Sequence, residues 1–477
     1  MSTEQLLRNT PKDVVEHNLL RPVSLKSVQI VGGDEFSDNF YSKLLNPLLL
    51  TSDITLGQLL DSCNKVYNNL SYTNVFNDIQ FKLEKSAEAS TSDPLYSSVN
   101  SNEKVLNINA DVIVSPKKLS NFNIGSTHST DGHLFNFGYT NLNTFGNAES
   151  LSLQGLLNPL NENSKTFNFN YKAPMVDTSL KLFANGLVLS SKQPWASHHL
   201  LSTSGAFGLE KTHYVSACCG HNFAVATVAG ISLSRRSVLD INDSASDTDK
   251  NFAGDSLKES LLLSGSIDSR KYLPTSLGVF PLSGFLLKVD SEIAGLSNVS
   301  TEKFIKSTLT YQLFKSFLWN WFTFESSFKV GTISGLSKSS ASSSVHFQDK
   351  FYLGGNDLNG FVNNSVGLKD GQDYIGGNVL FKYAFGLYSK CLFVPASAPL
   401  RLAFRVQGGD IYQSTSDIDY SSGNFVKNSA SSASVGVLYQ AGENAALDLH
   451  YAVPLSDRSD DIVRPGFGLD VTITSRI

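Results

Sequence analysis

Residues that ordinarily carry chemistry occur in this 477-residue chain mostly at spacings that forbid it. His198 and His199 are adjacent, so on a strand their side chains point to opposite faces and make a poor metal pair. Cys218 and Cys219 have the same defect, and with Cys63 and Cys391 they show no CxxC spacing, so free thiols are expected. The acidic stretch DINDSASDTDK (240–250) has the look of a calcium loop, yet Ala245 stands where the sharp-turn glycine belongs, and no glutamate follows at the twelfth position. A solvated loop is the better reading. There is no GxSxG, no HExxH and no phosphate-cradling glycine loop, and PGFGLDV lies on a strand instead of before a helix. These patterns predict no enzyme, no bound metal and no cofactor.

A different kind of segment stands out at 351–361, FYLGGNDLNGF. It lies in a long polar connection, 334–373, between two runs that alternate like strands. Unstructured connections longer than ~12–15 residues are uncommon and are usually either functional or disordered. Disordered segments rarely gather residues such as Phe351, Tyr352, Leu353 and Phe361 so closely. An ordered loop hinged at Gly354, Gly355 and Gly360 is expected, its apolar side chains packed as a small plug.

The elements that must carry this loop are strands. Charged residues are only 17% of the chain, the net charge is −5, and no basic field points to nucleic acid. No window approaches 18 uninterrupted apolar residues, so no transmembrane helix is expected. From about residue 117 onward, segments of some ten residues alternate between turns. TFNFNYK sets Phe167, Phe169 and Tyr171 against Asn168, Asn170 and Lys172, and ALDLHYAV sets Leu447, Leu449, Tyr451 and Val453 against Asp448, His450 and Ala452. About sixteen such strands are expected, starting near 118, 132, 147, 163, 178, 202, 223, 258, 283, 303, 319, 374, 399, 430, 445 and 465. An apolar outer face with an Asn, Ser, Lys and Asp inner face is backwards for a soluble barrel and required for one in lipid. Closure is required too, because an unpaired amide in hydrocarbon costs several kcal/mol. The fold class is therefore a membrane all-β protein, a transmembrane β-barrel over 117–477 with the loop 334–373 folded inward.

The first part of the chain reads differently. Residues 1–21 form an N-terminal extension with neither a basic n-region nor an apolar h-region, which suggests a chain made in the cytosol and complete as written. Residues 22–116 read as a small β-α-α-β-β domain. PVSLKSVQIVG is its first strand, Phe36, Phe40 and Leu44 mark a short helix, and Thr55 with Gln58 fits a capping box for a second. Two strands, 75–84 and 104–114, flank a solvated insert.

An α+β domain of this order followed by about sixteen strands resembles the polypeptide-transport-associated domain plus barrel of the bacterial outer-membrane assembly superfamily. The segment DKFYLGGNDLNGF (349–361) resembles that superfamily's inward-folding sixth loop, whose usual core is Gly-Gly-x-x-x-[Val/Ile]-Arg-Gly-[Phe/Tyr]. After Leu353, Gly354, Gly355, Gly360 and Phe361 match, Leu358 takes the aliphatic position, and Asn359 stands where arginine is expected. With a single appended domain and no signal peptide, the chain is most similar to the central barrel subunits of the mitochondrial sorting and assembly machinery.

That resemblance implies an insertase that folds β-barrel precursors into the mitochondrial outer membrane, with the small domain in the intermembrane space. A passive porin-type channel is the alternative reading. The implied partners are unfolded barrel precursors, the lipid bilayer, peripheral subunits on the cytosolic face and a second barrel at the seam, but no nucleic acid. A gate is expected between the first and last strands. Ser120, Asn121, Phe122, Asn123, Ile124 and Gly125 give the first strand poor strand propensity. On the last, Arg464, Gly466, Leu469 and Val471 fit the polar-x-Gly-x-x-hydrophobic-x-hydrophobic sorting signal of mitochondrial barrel substrates. In the superfamily the loop arginine reaches an acidic group on the inner wall. Here the wall positions are amides, so Asn359 is expected to pair through its side chain with Gln407 or Asn378, or else to be a turn residue facing lumen water. The loop either braces the wall, hands the substrate to the first strand, or merely plugs the lumen.

Overall fold

The structure is a computed structural model describing residues 18–476, apart from 50–53, 87–104, 130–131, 159–163, 176, 193–197, 217–221, 242–244, 274–279, 298–299, 337–344, 372, 392–393, 396–397, 419–428, 442–444 and 457–460. The expectations for the N-terminal extension up to residue 17, for the insert at 87–104 and for Cys218 and Cys219 fall outside the described residues.

The chain divides into two units, the first comprising 1–120 with 141–151 and 172–181, and the second the remainder. In the first unit, β1 (Pro22–Val31), β2 (Ile54–Thr55), β3 (Phe76–Lys85) and β4 (Leu106–Pro116) form one sheet in the order β2-β1-β4-β3, with β1 and β4 parallel. Two short helices, α1 (Asp38–Leu44) and α2 (Asn46–Leu49), and the longer α3 (Leu56–Thr73) cover it. The capping box forms: Thr55 Oγ1 accepts from Gln58 N–H, and Gln58 Oε1 accepts from Thr55 N–H at 3.0 Å. Leu59, Val66 and Leu70 recur on one face of α3 and are fully buried against Val23, Phe40, Ile108 and Val112, which is what period-3.6 spacing over an alternating sheet produces. The two-residue β2 and four-residue α2 are additions to the expected order, both too short to leave a periodic signal.

The second unit is a closed antiparallel barrel. Among the described residues it has sixteen long strands: β5 (Ser120–Ser129), β6 (Gly132–Asn141), β7 (Ser150–Leu157), β8 (Lys165–Pro174), β9 (Leu180–Lys192), β10 (His199–Ser216), β11 (Asn222–Leu239), β12 (Gly254–Asp268), β13 (Pro281–Ala294), β14 (Phe304–Phe317), β15 (Phe322–Gly335), β16 (Val379–Lys390), β17 (Leu400–Tyr412), β18 (Ala430–Ala441), β19 (Ala445–Pro454) and β20 (Gly466–Arg476). Alternation sorts the wall. Phe167, Phe169, Phe207, Ile231, Phe404 and Val435 are exposed on the outside, whereas Ser202, Arg236, Lys258, Ser260, Ser434 and His450 are buried on the inside. Among the described residues no helix is long and apolar enough to cross a membrane. The outward apolar staves are the surface a barrel in lipid requires.

Candidate functional site: the folded-in loop and the seam

The connection between β15 and β16 turns inward, as seen over Val345 to Gly371. Its first anchor is electrostatic. Asp349, at the end of a single 3-10 turn (Phe347–Asp349), receives both Nη atoms of Arg236 on β11, at 2.6 and 2.9 Å, and Nζ of Lys258 on β12 at 2.7 Å. Its main-chain carbonyl takes Nζ of Lys306 on β14 at 2.6 Å. Arg236 also reaches Glu302 at 3.1 Å, and Lys258 reaches Glu292 at 2.6 Å. Three basic groups and three carboxyl groups thus meet in one cluster spanning four neighbouring strands, where buried charges face opposite ones. Burial alone would raise the Asp349 carboxyl, but Arg236 and Lys258 outweigh it and hold it well below the ordinary carboxylate range. Glu302 goes the other way, raised by burial and by the Asp349 charge beside it.

Apolar packing continues the contact. Phe351 exchanges two main-chain hydrogen bonds with Gly377, at 2.9 and 3.0 Å, and its ring lies over Gly331, where a Cβ would sit 2.4 Å from a ring carbon. Phe351, Leu353, Leu358 and Phe361 are buried with Ile333, Leu380 and Ile411 of the wall. The glycines then turn the chain. Gly354 has φ +131, and a Cβ there would meet Val362 O at 2.2 Å, so the residue before the 3-10 turn Gly355–Asp357 must be glycine. Lys382 on β16 holds Asp357 at 2.5 Å.

Asn359 does meet Gln407, but not as the sequence suggested. Its main-chain N–H donates to Gln407 Oε1 at 3.1 Å, so the link does not join two side-chain amides. Asn378 is elsewhere: its main chain pairs with Ile333 and Tyr412, and its Oδ1 has no hydrogen-bond partner among the described residues. The physical reason is economical. Once arginine is replaced by a short amide, the loop is already held by Asp349 and by main-chain pairing, and only a backbone donor remains to be satisfied.

That pairing reaches the C-terminal end of the chain. Gly360 O accepts from Arg464 N–H at 2.7 Å, Val362 N–H donates to Ile462 O at 3.0 Å, and Phe361 bridges Val463. Gly367 N–H donates to Asp461 Oδ1 at 3.1 Å. The loop motif therefore seats the segment leading into β20, and the two places marked in the sequence, 353–361 and 464–471, come together.

The seam between β20 and β5 has six register pairs, from Val471 opposite His128 to Arg476 opposite Asn123. By contrast, β10 and β11 share eighteen and β14 and β15 share fourteen. Gly466 to Asp470 pair with Ala452 to Asp448 of β19 but carry no register partner on the β5 side among the described residues. Of the first-strand residues, Asn123, Ile124 and Gly125 lie in the seam, opposite Arg476, Ser475 and Thr474, while Ser120, Asn121 and Phe122 lie beyond its last pair. Phe122 and Ile124 are exposed on the outside of the wall, as are Phe467 and Leu469.

The remaining candidates lie apart. His198 is buried with its ring 4.2 Å from that of Phe347, and His199 faces Ser190 at 2.9 Å. The end of the acidic stretch runs into one short helix, Asp247–Asn251. Sequence reasoning missed Arg236, Lys258, Glu302 and Asp349. The available signal was charge on strands otherwise poor in it, together with an aspartate two residues before FYLGG.

A match to the Omp85 superfamily domain covers residues 143–474. A SAM50-like protein of Schizosaccharomyces pombe is 26% identical over 98% of this chain and 93% of its own length. The Sorting and assembly machinery component 50 homolog of Homo sapiens is 28% identical over 45% of each chain. The Sorting assembly machinery 50 kDa subunit of Saccharomyces cerevisiae is 27% identical over 45% of this chain and 43% of its own, so this chain spans less than half of those two relatives in alignment. Among solved structures, BamA from Haemophilus ducreyi lacking POTRA domains 1–3 has a TM-score of 0.69 at 15% identity, covering 95% of this chain and 85% of that one. With the inward loop, the closed barrel and the matched domain in agreement, the chain belongs to the Omp85 superfamily.

Proposed function

We propose that the protein inserts β-barrel precursors into the mitochondrial outer membrane, and that it does so by parting β20 from the first strand β5 and lending their edges to an incoming strand. The observation that carries this reading is the short seam, which has six register pairs among the described residues, against eighteen between β10 and β11. A strand entering hydrocarbon must pair its amides, and an exposed edge is the template that permits it. The polar-x-Gly-x-x-hydrophobic pattern of Arg464, Gly466, Leu469 and Val471 lies on that same edge. A precursor bearing the same pattern can then compete for β5 in place of β20.

The loop supports the reading as a brace. By fixing residues 461–464 through Gly360, Val362 and Gly367, it holds the base of β20 while the upper seam parts. A passive channel has no use for such a fixture. The names of the relatives support the location in the mitochondrial outer membrane. On this reading the small domain faces the intermembrane space, and the partners are unfolded precursors, peripheral subunits on the cytosolic face and a second barrel. The chemistry is strand exchange, not bond-making, so no catalytic residue is assigned.

Cysteine placed at Phe122 or Ile124 tests this against a precursor stalled with cysteine in its terminal strand. Crosslinks confined to β5 in one register are expected. Crosslinks absent from β5 but efficient elsewhere on the wall would contradict the gate.

A further inference from the structure

We propose that Asp448, His450 and Asp470 form a binding site for one divalent transition-metal cation on the inner wall, between the last two strands. The register sets Asp448 directly opposite Asp470 and His450 opposite Gly468. The intervening Leu449, Tyr451 and Leu469 are exposed on the outer face, so the three polar side chains share the inner one. One ligand atom from each lies within 4.8 Å of the others.

Two carboxylates directly across an antiparallel pair repel unless something positive intervenes. Arg405 answers part of that, binding Asp448 Oδ2 at 2.8 Å. The other oxygen, Asp448 Oδ1, faces His450 Nδ1 at 3.6 Å, and neither atom has a hydrogen-bond partner among the described residues. His450 is only 5% exposed. A buried ring nitrogen aimed at an unpartnered carboxylate oxygen calls for a cation between them, and donors ~2.0–2.1 Å from a tetrahedral zinc stand roughly 3.3 Å apart. One imidazole and two carboxylates suit zinc and its first-row neighbours better than the oxygen-only ions.

Two glycines keep the imidazole in this position. A Cβ at Gly468 would sit 2.3 Å from His450 Nε2, and one at Gly436 would sit 2.8 Å from His450 Cβ. The site does not depend on the insertase reading. If occupied, it ties β19 to β20 on the edge opposite the seam.

Full-length protein purified in detergent and stripped with a chelator is titrated with zinc by calorimetry, with thermal unfolding followed in parallel. One equivalent bound with a raised Tm is expected in the wild type. That equivalent and its Tm shift should be lost in His450→Gln and in Asp470→Asn, while heat-modifiable gel migration reports that each variant still folds. Cobalt in place of zinc should give ligand-field bands without thiolate charge transfer. No zinc bound by the wild type, variants that bind as the wild type does, or cobalt spectra of thiolate type would each overturn the proposal. Should His450→Gln fail to fold, Asp470→Asn decides. A lowered Tm in His450→Gln with no zinc response in the wild type would also overturn it.

Discussion

Asp349 is the side chain on which the loop's position depends most. Removing one partner from a buried ion cluster leaves uncompensated charge and typically costs about 3–5 kcal/mol. Asp349→Asn abandons Arg236 and Lys258 together, so it should release the loop locally, read as faster hydrogen exchange over 345–371 with the barrel wall unchanged. A second residue-scale consequence lies in the small domain. Burial, with the charges of Glu35 and Asp34, pushes the Tyr41 phenol up to about 12, and its hydroxyl donates to Gly33 O at 2.9 Å. A raised value means that the phenol's contribution is intact below about pH 10 and is lost as pH climbs through 12. Tyr41→Phe should therefore flatten the domain's alkaline unfolding between those limits, measured by circular dichroism. At this scale the sequence was only partly legible. Alternation located Gln407 on the inner face, but nothing in it says that the donor facing Gln407 is a backbone N–H. Arg236 and Asp349 are 113 residues apart, and no local period connects them.

Strands were legible because period-2 alternation is imposed by the lipid on one side and by the polar lumen on the other. The starts expected at 132, 430 and 445 coincide with β6, β18 and β19. The start expected at 374 does not, since β16 begins at Val379. Lys369 and Asp370 pair first with Tyr374 and Asp373 in a miniature hairpin, and Gly377 is taken by Phe351, a contact that a local period does not show. The glycines of that loop differ in a testable way. Gly354→Ala meets Val362 O and a forbidden φ together, whereas Gly360→Ala at φ +90 finds its nearest neighbour at 3.5 Å. The first should cost more than the second within a range of about 1–3 kcal/mol, compared by thermal unfolding of the two variants.

Across the whole chain, the barrel topology follows from two demands that any lipid-facing sheet must meet, an apolar outer face and no unpaired edge. At the β20–β5 seam the ladder has six register pairs among the described residues, against fourteen to eighteen in the longest ladders. A newcomer that enters at this seam dismantles a shorter ladder than it would between β10 and β11 or between β14 and β15. A disulfide across the seam, Ile124→Cys with Ser475→Cys in a background lacking the native cysteines, tests this most directly. The two positions are opposite one another in the register. Precursor maturation in isolated mitochondria should stop when the pair is oxidised and resume when it is reduced. Undiminished maturation with the seam covalently closed would contradict the account.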